Sequence, residues 1–566
     1  MISGLKVQIK ECVEKYVLNT YGKEITAVVE QPKNMEMGDI AVPVFVVMKT
    51  IGKPLPAVVA EIKDLLLNSF AIINEIVPTG GFLNIRVKKD GICTDILKEA
   101  VTQGANYGNN DFGKDKTVVI DYSSPNIAKS FSIGHLRSTM IGNSLKLINR
   151  KCGYDVVGIN YLGDWGTQFG KMIVAYKKWG NVETIEADPI NELTKLYVLF
   201  HDEAKKDPSL EDEAREAFRR LETNDEEYYE LWKWIREESL KESEQIYELL
   251  KVNFDSYNGE AYYNDKMDAV VAELEEKELL VDDQGARIVR LGDDIPPALI
   301  KRRDGGSLYI TRDLAAVFDR KKTYNFSKIL YVVGNEQKLH FEQLKRVITK
   351  MGYDYANQIH HINFGLVLKD GKKMSTRGGG VVKLYDVLEN AMNLAHEQIE
   401  QKNPNIPDID DVARIVGCGA VVFNDLKNHR TLDYDFDMEK MLKFEGQTGP
   451  YLQYTGVRIA SILRDNTYDI NNIDTSLFTN DIYFELARSI GEFKDVVSRA
   501  CEENAPSIIA KYLLGLAQIF NKFYANVKIN VSEEAVRNTN FLISHATRIV
   551  INEGLRLLGM EYVEQM

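Results

Sequence analysis

Residues 118–143, with the sequence VVIDYSSPNIAKSFSIGHLRSTMIGN, restrict the possible folds of this chain more than any other stretch. The β-branched run at 117–120 predicts a buried strand, and Pro125 in the polar segment behind it removes a backbone donor and ends that strand. Between 132 and 149 the apolar residues recur at helical spacing and predict a helix. A strand, a polar loop and a helix start in this order form a phosphate site, because free backbone N–H groups and the positive end of the helix dipole point to one place.

Gly134 and His135 lie at the predicted helix start and have properties that suit a nucleotide. Gly134 leaves room for a base or a phosphate to approach the backbone, and His135 offers a donor for a phosphate oxygen. A Gly-His pair at a helix start more often only caps or packs the helix. The pair alone therefore favours the structural interpretation over the nucleotide site.

Composition limits the class of protein. A length of 566 residues suggests about three or four domains. The net charge of −14 argues against an indiscriminate nucleic-acid binder but is compatible with a local basic groove. The five cysteines are far apart without a Cys-x-x-Cys pair, so neither a zinc ribbon nor a disulfide framework is predicted. Charges near the start and the lack of a run of about 18 apolar residues predict a soluble, cytoplasmic protein that does not bind membranes.

Residues 1–110 are predicted to form a separate α/β domain. Leu5, Ile9, Val13 and Val17 lie at helical spacing, and the GFLNI string that follows a turn indicates a strand. The charges are balanced and no catalytic cluster is apparent, so the residues alone favour a packing domain. The turn-forming residues at 105–110 indicate the linker to the next domain.

The second predicted strand, at 156–162, runs into the string GDWGTQFG. Strand, helix and strand over about 45 residues fit a parallel βαβ unit. The aromatic ring among glycines suits a pocket wall, although such rings are more often packing. The acidic segment at 176–263 has charges at i, i+4 spacing that support exposed helices, and we interpret it as an insertion between the halves of a nucleotide-binding sheet. The sheet is expected to resume after about residue 285.

Tyr309 and Asp313 lie across a predicted strand-to-helix junction, with a strand at 308–310 and a helix from Asp313 onward. A substrate with a guanidinium group needs a carboxylate that can pair with it and a flat or hydroxyl-bearing wall. An acid at a helix start is more often a cap, and this alternative stays open.

The buried strand predicted at 329–334 is followed by Gln337 and His340. Ligands of open α/β sheets bind beyond the carboxyl ends of the strands, so both side chains are candidates for a site. His340 is compatible with a nucleotide contact and equally with a helix cap.

A strand, an Asp-Gly turn and a basic loop ending in three glycines occupy 364–380. This pattern predicts a mobile anion-binding lid, although lysine-rich turns are usually plain surface.

From about residue 444 the chain is predicted to be helical. Aromatic residues there are suited to stacking on unpaired bases, but each is more often part of a core. They are Tyr451, Tyr454, Phe520, Phe523 and Tyr524.

Several of these strings together resemble the signatures of one family. SPNIAK and IGHLRST resemble the first signature of class I aminoacyl-tRNA synthetases in the form found in arginyl-tRNA synthetases, and GDWGTQFG, YITRD and KMS resemble later signatures in the right order. The chain departs from the family pattern at two places. Ser132 replaces the first His of His-x-Gly-His, and Thr376 and Arg377 follow where Lys-Met-Ser-Lys-Ser has its second lysine.

The resemblance, which spans nearly the entire chain, implies an α/β fold with a Rossmann-type parallel-sheet catalytic domain at 111–443 that carries a helical insertion at about 176–285. It further implies an N-terminal α/β domain at 1–110 that contacts the tRNA elbow and an all-α anticodon-binding domain at 444–566. The implied partners are tRNA(Arg), L-arginine and ATP with Mg²⁺, without protein-bound zinc. We expect a monomer.

The implied reaction joins arginine to ATP as arginyl-adenylate and then transfers it to the 3′ end of tRNA. His135 and Lys373 are the implied catalytic residues. The residues implied to bind ATP are Lys129, Ser132, Gly134, His135, Lys373, Met374 and Ser375. The residues implied to bind arginine are Asp121, Ser123, Asn126, Tyr309, Asp313 and Gln337.

Two other functions remain open at this point. A nucleotidyltransferase acting on a small molecule shares the Gly-His helix start but has no use for the helical C-terminal domain. The other is an RNA-binding relative that has lost catalysis, for which the replacement at Ser132 is the only indication. The presence of His135, Lys373 and Asp313 argues against it.

Overall fold

The first part of the chain packs helices against a three-stranded antiparallel sheet of order β1-β3-β2. The computed structural model describes residues 2–32, 34, 37–127, 131–301, 309–374 and 382–566. The first elements are α1 (Ile2–Tyr21), β1 (Ile40–Pro43), α2 (Phe45–Ile51), α3 (Leu55–Ser69), β2 (Ile73–Thr79), β3 (Phe82–Val87) and α4 (Lys89–Gln103). Leu5, Ile9, Val13 and Val17 of α1 are all buried, which confirms the apolar helix face predicted from their spacing.

The segment predicted as a linker, 105–110, is fixed against the C-terminal helices. The ring of Tyr107 is buried and stacks on Phe493 with 6.3 Å between centroids. Its hydroxyl donates to the carbonyl of Ile490 at 3.2 Å. The first and last parts of the chain are therefore in direct contact.

A four-stranded parallel sheet of order β10-β9-β4-β5 forms the centre of the molecule. Val118, Val119 and Ile120 of β4 are fully buried, as expected for a parallel strand covered on both faces. The first crossover is β4, α5, β5, which confirms the predicted βαβ unit. The elements of this region are β4 (Thr117–Asp121), α5 (Ile133–Lys151), β5 (Asp155–Ile159), α12 (Tyr309–Tyr324), β9 (Lys328–Tyr331), α13 (Lys338–Lys350) and β10 (Ile359–His361).

The segment between β5 and β9 is largely helical, as predicted, and has its own apolar core around Leu193, Phe200 and Ile235. Exposed ion pairs such as Arg219 with Glu216 cover its outer face. It also contains a separate antiparallel sheet of order β6-β7-β8. The expectation that the nucleotide-binding sheet resumes after about residue 285 is therefore wrong, because the strand there pairs within this small sheet and the parallel sheet resumes only at β9. The elements of the segment are α6 (Thr167–Trp179), α7 (Val182–Ala187), α8 (Pro189–Lys206), α9 (Ser209–Glu222), α10 (Glu226–Leu249), α11 (Met267–Glu276), β6 (Leu280–Asp283), β7 (Ala286–Val289) and β8 (Ala298–Lys301).

The prediction of a strand at 308–310 is wrong at residues 309 and 310, which the structure describes. Helix α12 already begins at Tyr309, so Tyr309 and Asp313 lie one turn apart on a single helix. Residue 308 lies outside the described part of the chain. The alternation of Leu308 and Ile310 was too short to separate a strand from the first turn of a helix.

A small hairpin precedes the loop predicted as a lid. Strands β11 (Val367–Lys369) and β12 (Lys372–Lys373) pair antiparallel across the Asp-Gly turn, in which Asp370 and Gly371 both have positive φ, as the turn type requires. The loop at 375–381 lies outside the described residues.

Residues 429–436, which we name the strap, tie this hairpin to other parts of the fold. Strand β13 (Tyr434–Asp435) pairs with β11, and the carbonyl of Leu432 accepts from Arg137 of α5 at 2.9 Å. Arg430 donates to the carbonyl of Asn504 at 3.1 Å among the last helices. The strap thus contacts the hairpin, α5 and the C-terminal helices at once.

The last part of the chain is helical, as predicted, and packs on α4 and α5. Lys151 of α5 forms a buried ion pair with Glu553 at 2.8 Å. None of the helices in the described ranges is long and apolar enough to cross a membrane. The remaining helices are α14 (Leu384–Lys402), α15 (Ile409–Leu426), α16 (Met438–Met441), α17 (Gly449–Leu463), α18 (Asp481–Gly491), α19 (Phe493–Glu502), α20 (Ser507–Asn526) and α21 (Glu534–Leu557).

Candidate active site

A cleft of about 990 Å³ lies beyond the carboxyl ends of β4 and β9, between the start of α5 and the hairpin. Open α/β sheets bind ligands at this place. The structure brings to this cleft most of the side chains selected from the sequence: Asp121, Ser123, Asn126, Ser132, Gly134, His135, Tyr309, Asp313, Gln337, Lys373 and Met374. Lys129 and Ser375 lie outside the described residues.

The start of α5 is held by a reciprocal capping box. The side chain of Ser132 accepts from the backbone of His135, and the Nδ1 atom of His135 accepts from the backbone N–H of Ser132 at 3.0 Å. Since Nδ1 is an acceptor in this bond, the neutral ring carries its proton on Nε2. His135 therefore caps the helix and also lines the cleft, so the structural and ligand-binding interpretations are compatible.

The loop after β4 has an unusual backbone. Ser123 and Ser124 both have positive φ, at 71° and 50°, a conformation that costs free energy for residues other than glycine. The hydroxyl of Ser123 lies within 2.8 Å of the Thr139 hydroxyl and 2.7 Å of the Tyr247 hydroxyl. Since this hydroxyl already has buried partners, Ser123 holds the loop in shape at the rim of the cleft.

Asp121, at the end of β4, is only 2% exposed and is paired with a buried arginine that the sequence analysis did not select. Its Oδ2 accepts from Arg320 at 2.8 Å, and its Oδ1 accepts from the Ser124 hydroxyl at 3.0 Å. The rings of Tyr161, Tyr263 and Tyr331 surround the Arg320 guanidinium. The pairing fixes Asp121 at the floor of the cleft.

Asp313 lies one helical turn into α12 and contacts two groups from other elements. His340 Nε2 is 2.6 Å from Oδ2, and the Tyr161 hydroxyl donates to Oδ1 at 3.3 Å. Both partners line the same cleft. The cap interpretation of Asp313 does not account for these contacts.

Glu260 also lines the cleft and was missed by the sequence analysis. It forms an ion pair with Arg312 at 3.0 Å. Burial raises the pKa of Glu260 to about 7, with the nearby Asp313 charge acting in the same direction and Arg312 opposing it. Glu260 lies within the acidic insertion, where no pattern distinguishes one acidic residue from another, so its sequence neighbours did not identify it.

The remaining predicted residues are arranged along the walls of the cleft. Tyr309 is 67% exposed, and Gln337 lies in a short turn just after β9. Lys373 is the last residue of the hairpin, is exposed and lines the cleft. Among the described residues there is no group of three or more His, Cys, Asp or Glu side chains placed to hold a metal ion.

The C-terminal aromatic residues selected from the sequence include both buried and exposed side chains. Phe520 and Phe523 are fully buried, so the core interpretation is confirmed for them. Tyr454 and Tyr524 are 39% and 43% exposed, and the Arg458 guanidinium lies about 5 Å from each ring. The core interpretation is wrong for these two tyrosines, because their helices turn this face to solvent.

Comparison with known proteins defines the class. The family described as "tRNA synthetases class I (R), catalytic domain" matches residues 96–438, the "DALR anticodon binding domain" matches 452–566 and the "Arginyl tRNA synthetase N terminal domain" matches 3–87. The chain is therefore a class I aminoacyl-tRNA synthetase.

Individual relatives define the family within this class. The chain is 49% identical to arginine–tRNA ligase 1 of Bacillus cereus over 99% of its own length and 100% of that protein, and 47% identical to arginine–tRNA ligase of Enterococcus faecalis over 98% and 100%. The structure of arginyl-tRNA synthetase from Plasmodium falciparum is similar with a TM-score of 0.80 and 27% identity, covering 99% of both chains. The Thermus thermophilus enzyme has the same fold, with a TM-score of 0.81 at 24% identity over 99% of this chain and 100% of that one. The chain belongs to the arginyl-tRNA synthetases.

Membership in this family settles the activity. The protein is an enzyme that activates L-arginine with ATP and transfers it to tRNA(Arg). The small-molecule nucleotidyltransferase and the non-catalytic RNA-binding protein are therefore excluded.

Proposed function

We propose that the cleft binds arginine at the end formed by Asp313 and Glu260 and binds ATP at the end formed by the start of α5 and Lys373. The observation that carries this proposal is that one cleft is lined by two kinds of charged group from different elements: the carboxylates of Asp313 and Glu260, and the N-terminus of α5 with Lys373 of the hairpin. A cationic side chain fits the first end and a polyphosphate fits the second.

At the arginine end, Asp313 accepts two N–H groups of the substrate guanidinium, and Glu260 supplies a second negative charge. Tyr309 forms the flat, hydroxyl-bearing wall. Asp121 attracts the substrate α-amino group with the acceptor capacity that Arg320 and Ser124 leave free. Gln337 and Asn126 offer amide groups to the polar backbone of the substrate, and Ser123 supports the loop beside them.

At the ATP end, Gly134 lets the nucleotide approach the backbone of α5, and His135 donates from Nε2 to a phosphate oxygen. Ser132 acts through the capping box. Lys373 and Met374 close the other side, and we assign Lys129 and Ser375 to the same ligand on the strength of the family signatures. Mg²⁺ enters with ATP as its counter-ion, held by phosphate oxygens and water.

The reaction that follows from this placement has two steps. The arginine carboxylate attacks the α-phosphate in line, the bond to the β,γ-diphosphate breaks, and arginyl-adenylate and pyrophosphate form. Lys373 and His135 stabilise charge that grows on the phosphate oxygens, which lowers the barrier because both groups are already positioned. A ribose hydroxyl at the tRNA 3′ end then attacks the adenylate carbonyl and releases AMP.

The domain division that we propose places the tRNA along the whole chain. The N-terminal domain at 1–110 contacts its elbow, the catalytic domain at 111–443 with its insertion at about 176–285 receives the 3′ end, and the helical domain at 444–566 receives the anticodon. Tyr454, Arg458 and Tyr524 offer a stacking surface on the last domain. We further propose a monomer that acts in the cytoplasm.

Pyrophosphate exchange into ATP tests the assignment of the two ends. Gly134→Ala is a sharp probe, because a Cβ there meets only the Ser132 hydroxyl oxygen at 3.5 Å, an ordinary contact, but would occupy space that the nucleotide needs. We expect the KM for ATP to rise about tenfold or more while the KM for arginine changes little, since steric overpacking costs about 1–3 kcal/mol.

The matched control is Gly515→Ala on α20, where an added Cβ meets nothing within 4 Å. Exchange is measured with each amino acid in turn, both with and without tRNA. Arginine should be the amino acid that supports exchange, and the others should not. An unchanged KM for ATP in Gly134→Ala would contradict the proposed nucleotide position. Exchange with arginine in the absence of tRNA would show that activation does not need tRNA and would leave the assignment of the cleft in place.

A pH dependence follows from Glu260. With a pKa of about 7, this group is mostly neutral below that pH and ionised above it. Because only the ionised form attracts a guanidinium, arginine affinity should increase as the pH rises from about 6 to about 8. Glu260→Gln should bind arginine more weakly and lose this part of the profile.

The measurement is calorimetric titration of the enzyme with arginine across this pH range, with Asp265→Asn, an exposed acid of the same segment, as the control. A dissociation constant that stays level across the range in the unmodified enzyme would contradict the role of Glu260, as would a Glu260→Gln profile that matches it.

A further inference from the structure

We propose that His340 and Tyr161 are positioning residues that hold the Asp313 carboxylate in the orientation that a substrate guanidinium requires. The inference rests on the proposed role of Asp313 and extends it to two residues that do not themselves need to touch the substrate. Neither residue was assigned to arginine from the sequence, and His340 was compatible there with a nucleotide contact or a cap.

The first support is the convergence of three elements on one carboxylate. Asp313 belongs to α12, His340 to the first turn of α13, and Tyr161 to the segment after β5. His340 Nε2 lies 2.6 Å from Oδ2, and the Tyr161 hydroxyl lies 3.3 Å from Oδ1. A carboxylate oxygen only accepts, so His340 donates from Nε2, and among the described residues each oxygen has one side-chain donor.

The second support is the number of acceptor sites. Each carboxylate oxygen can accept about two hydrogen bonds. Tyr161 and His340 take one site on each oxygen of Asp313, which leaves one site on each for the fork of a guanidinium. One protein donor on each oxygen therefore orients the carboxylate and leaves a bidentate acceptor for the cleft.

The third support is that the donors are themselves held in place. The ring of Tyr161 packs against Tyr263 with 5.8 Å between centroids, and the Arg320 guanidinium lies 5.0 Å from it. Burial, together with the Asp313 charge, raises the pKa of the Tyr161 hydroxyl well above 10, so it remains a donor. The ring of His340 packs edge-on against Phe341.

A nucleotide contact of His340 is the competing role, and the two make different kinetic predictions. A positioning residue of Asp313 acts on arginine, so its loss should raise the KM for arginine and leave the KM for ATP nearly unchanged. A nucleotide contact would shift the KM for ATP instead. A residue that only stabilises the fold would lower the unfolding temperature and change neither KM selectively.

The test compares His340→Ala, His340→Gln and Tyr161→Phe in pyrophosphate exchange. Removing a hydrogen bond to a charged group should raise the KM for arginine roughly 10- to 100-fold in His340→Ala. Gln places an amide N–H close to the position of Nε2, so His340→Gln should recover to within about threefold of the unmodified enzyme. Tyr161→Phe should raise the same KM by a smaller factor, about three- to tenfold, because its hydrogen bond is longer.

A double-variant cycle separates this inference from the proposal on which it rests. In an Asp313→Asn background, His340→Ala should add less than about a twofold change, because the carboxylate that it positions is gone. An Asp313→Asn enzyme with an unchanged KM for arginine would overturn the role of Asp313 itself. If Asp313→Asn weakens arginine but His340→Ala raises the KM for ATP, fails to be rescued by glutamine or remains fully additive with Asp313→Asn, the positioning role is overturned alone.

Discussion

Replacing Asp313 with asparagine is expected to raise the KM for arginine by about two to three orders of magnitude and to leave the KM for ATP within a few-fold. Removing one partner of a desolvated charge pair costs about 3–5 kcal/mol, because the other charge is then left without compensation. Asparagine has nearly the same shape but is neutral, and its amide N–H₂ group opposes the N–H groups of the guanidinium. Steady-state pyrophosphate exchange with one substrate varied at a time measures both constants.

Asp319→Asn, on the same helix α12, is the matched control, since Asp319 does not line the cleft. It should leave both KM values close to those of the unmodified enzyme. Equal weakening of arginine and ATP in Asp313→Asn would mean that the variant disturbs the cleft as a whole and would remove the assigned role of Asp313.

Replacing Lys373 with alanine is expected to lower kcat for adenylate formation by about a hundred- to a thousandfold. A fixed donor that meets charge developed in the transition state typically contributes this much. The effect on the KM for arginine should be small, because we assign Lys373 to the phosphate groups of ATP and Asp313 to the guanidinium of arginine. Rapid-quench measurement of arginyl-adenylate in a single turnover isolates this step from the later transfer to tRNA.

Lys372 gives an unusually close control for this variant. It is the neighbouring residue of the same two-residue strand and is also exposed, but it does not line the cleft. Lys372→Ala should therefore retain most of the single-turnover rate. If Lys372→Ala and Lys373→Ala slow the reaction equally, the effect comes from the charge of the hairpin as a whole and the specific role of Lys373 is lost.

The parts of the fold that could be predicted are those that depend on the residue pattern of a single segment. The helix at 133–151 and the strand before it have periodicities that a single segment displays, and the Asp-Gly turn of the hairpin follows from the positive φ values that those two residues tolerate. The motif residues reached the cleft because strand ends of a parallel sheet meet at one edge.

The parts that were not predictable depend on contacts between distant segments. Tyr161 lies 152 positions before Asp313, and His340 lies 27 positions after it. No local pattern around any of the three residues indicates that they are in contact. Arg320 and Glu260 sit in helical or acidic surroundings where a charged residue is expected to face solvent. Only the packing of α12 against the sheet and the insertion reveals that Arg320 is fully buried and that the Glu260 side chain is mostly covered.

The buried pair of Lys151 and Glu553 bears on how this enzyme can be divided. Lys151 is the last residue of α5, and Ser132 at the cleft is the N-cap of the same helix. Glu553 belongs to α21, the last helix of the chain. Removing the last helices would remove this ion pair and expose the face of α5 that packs on them. The terminal helices are thus a structural part of the active-site scaffold, and a fragment that stops at residue 443 should not be treated as an interchangeable catalytic module.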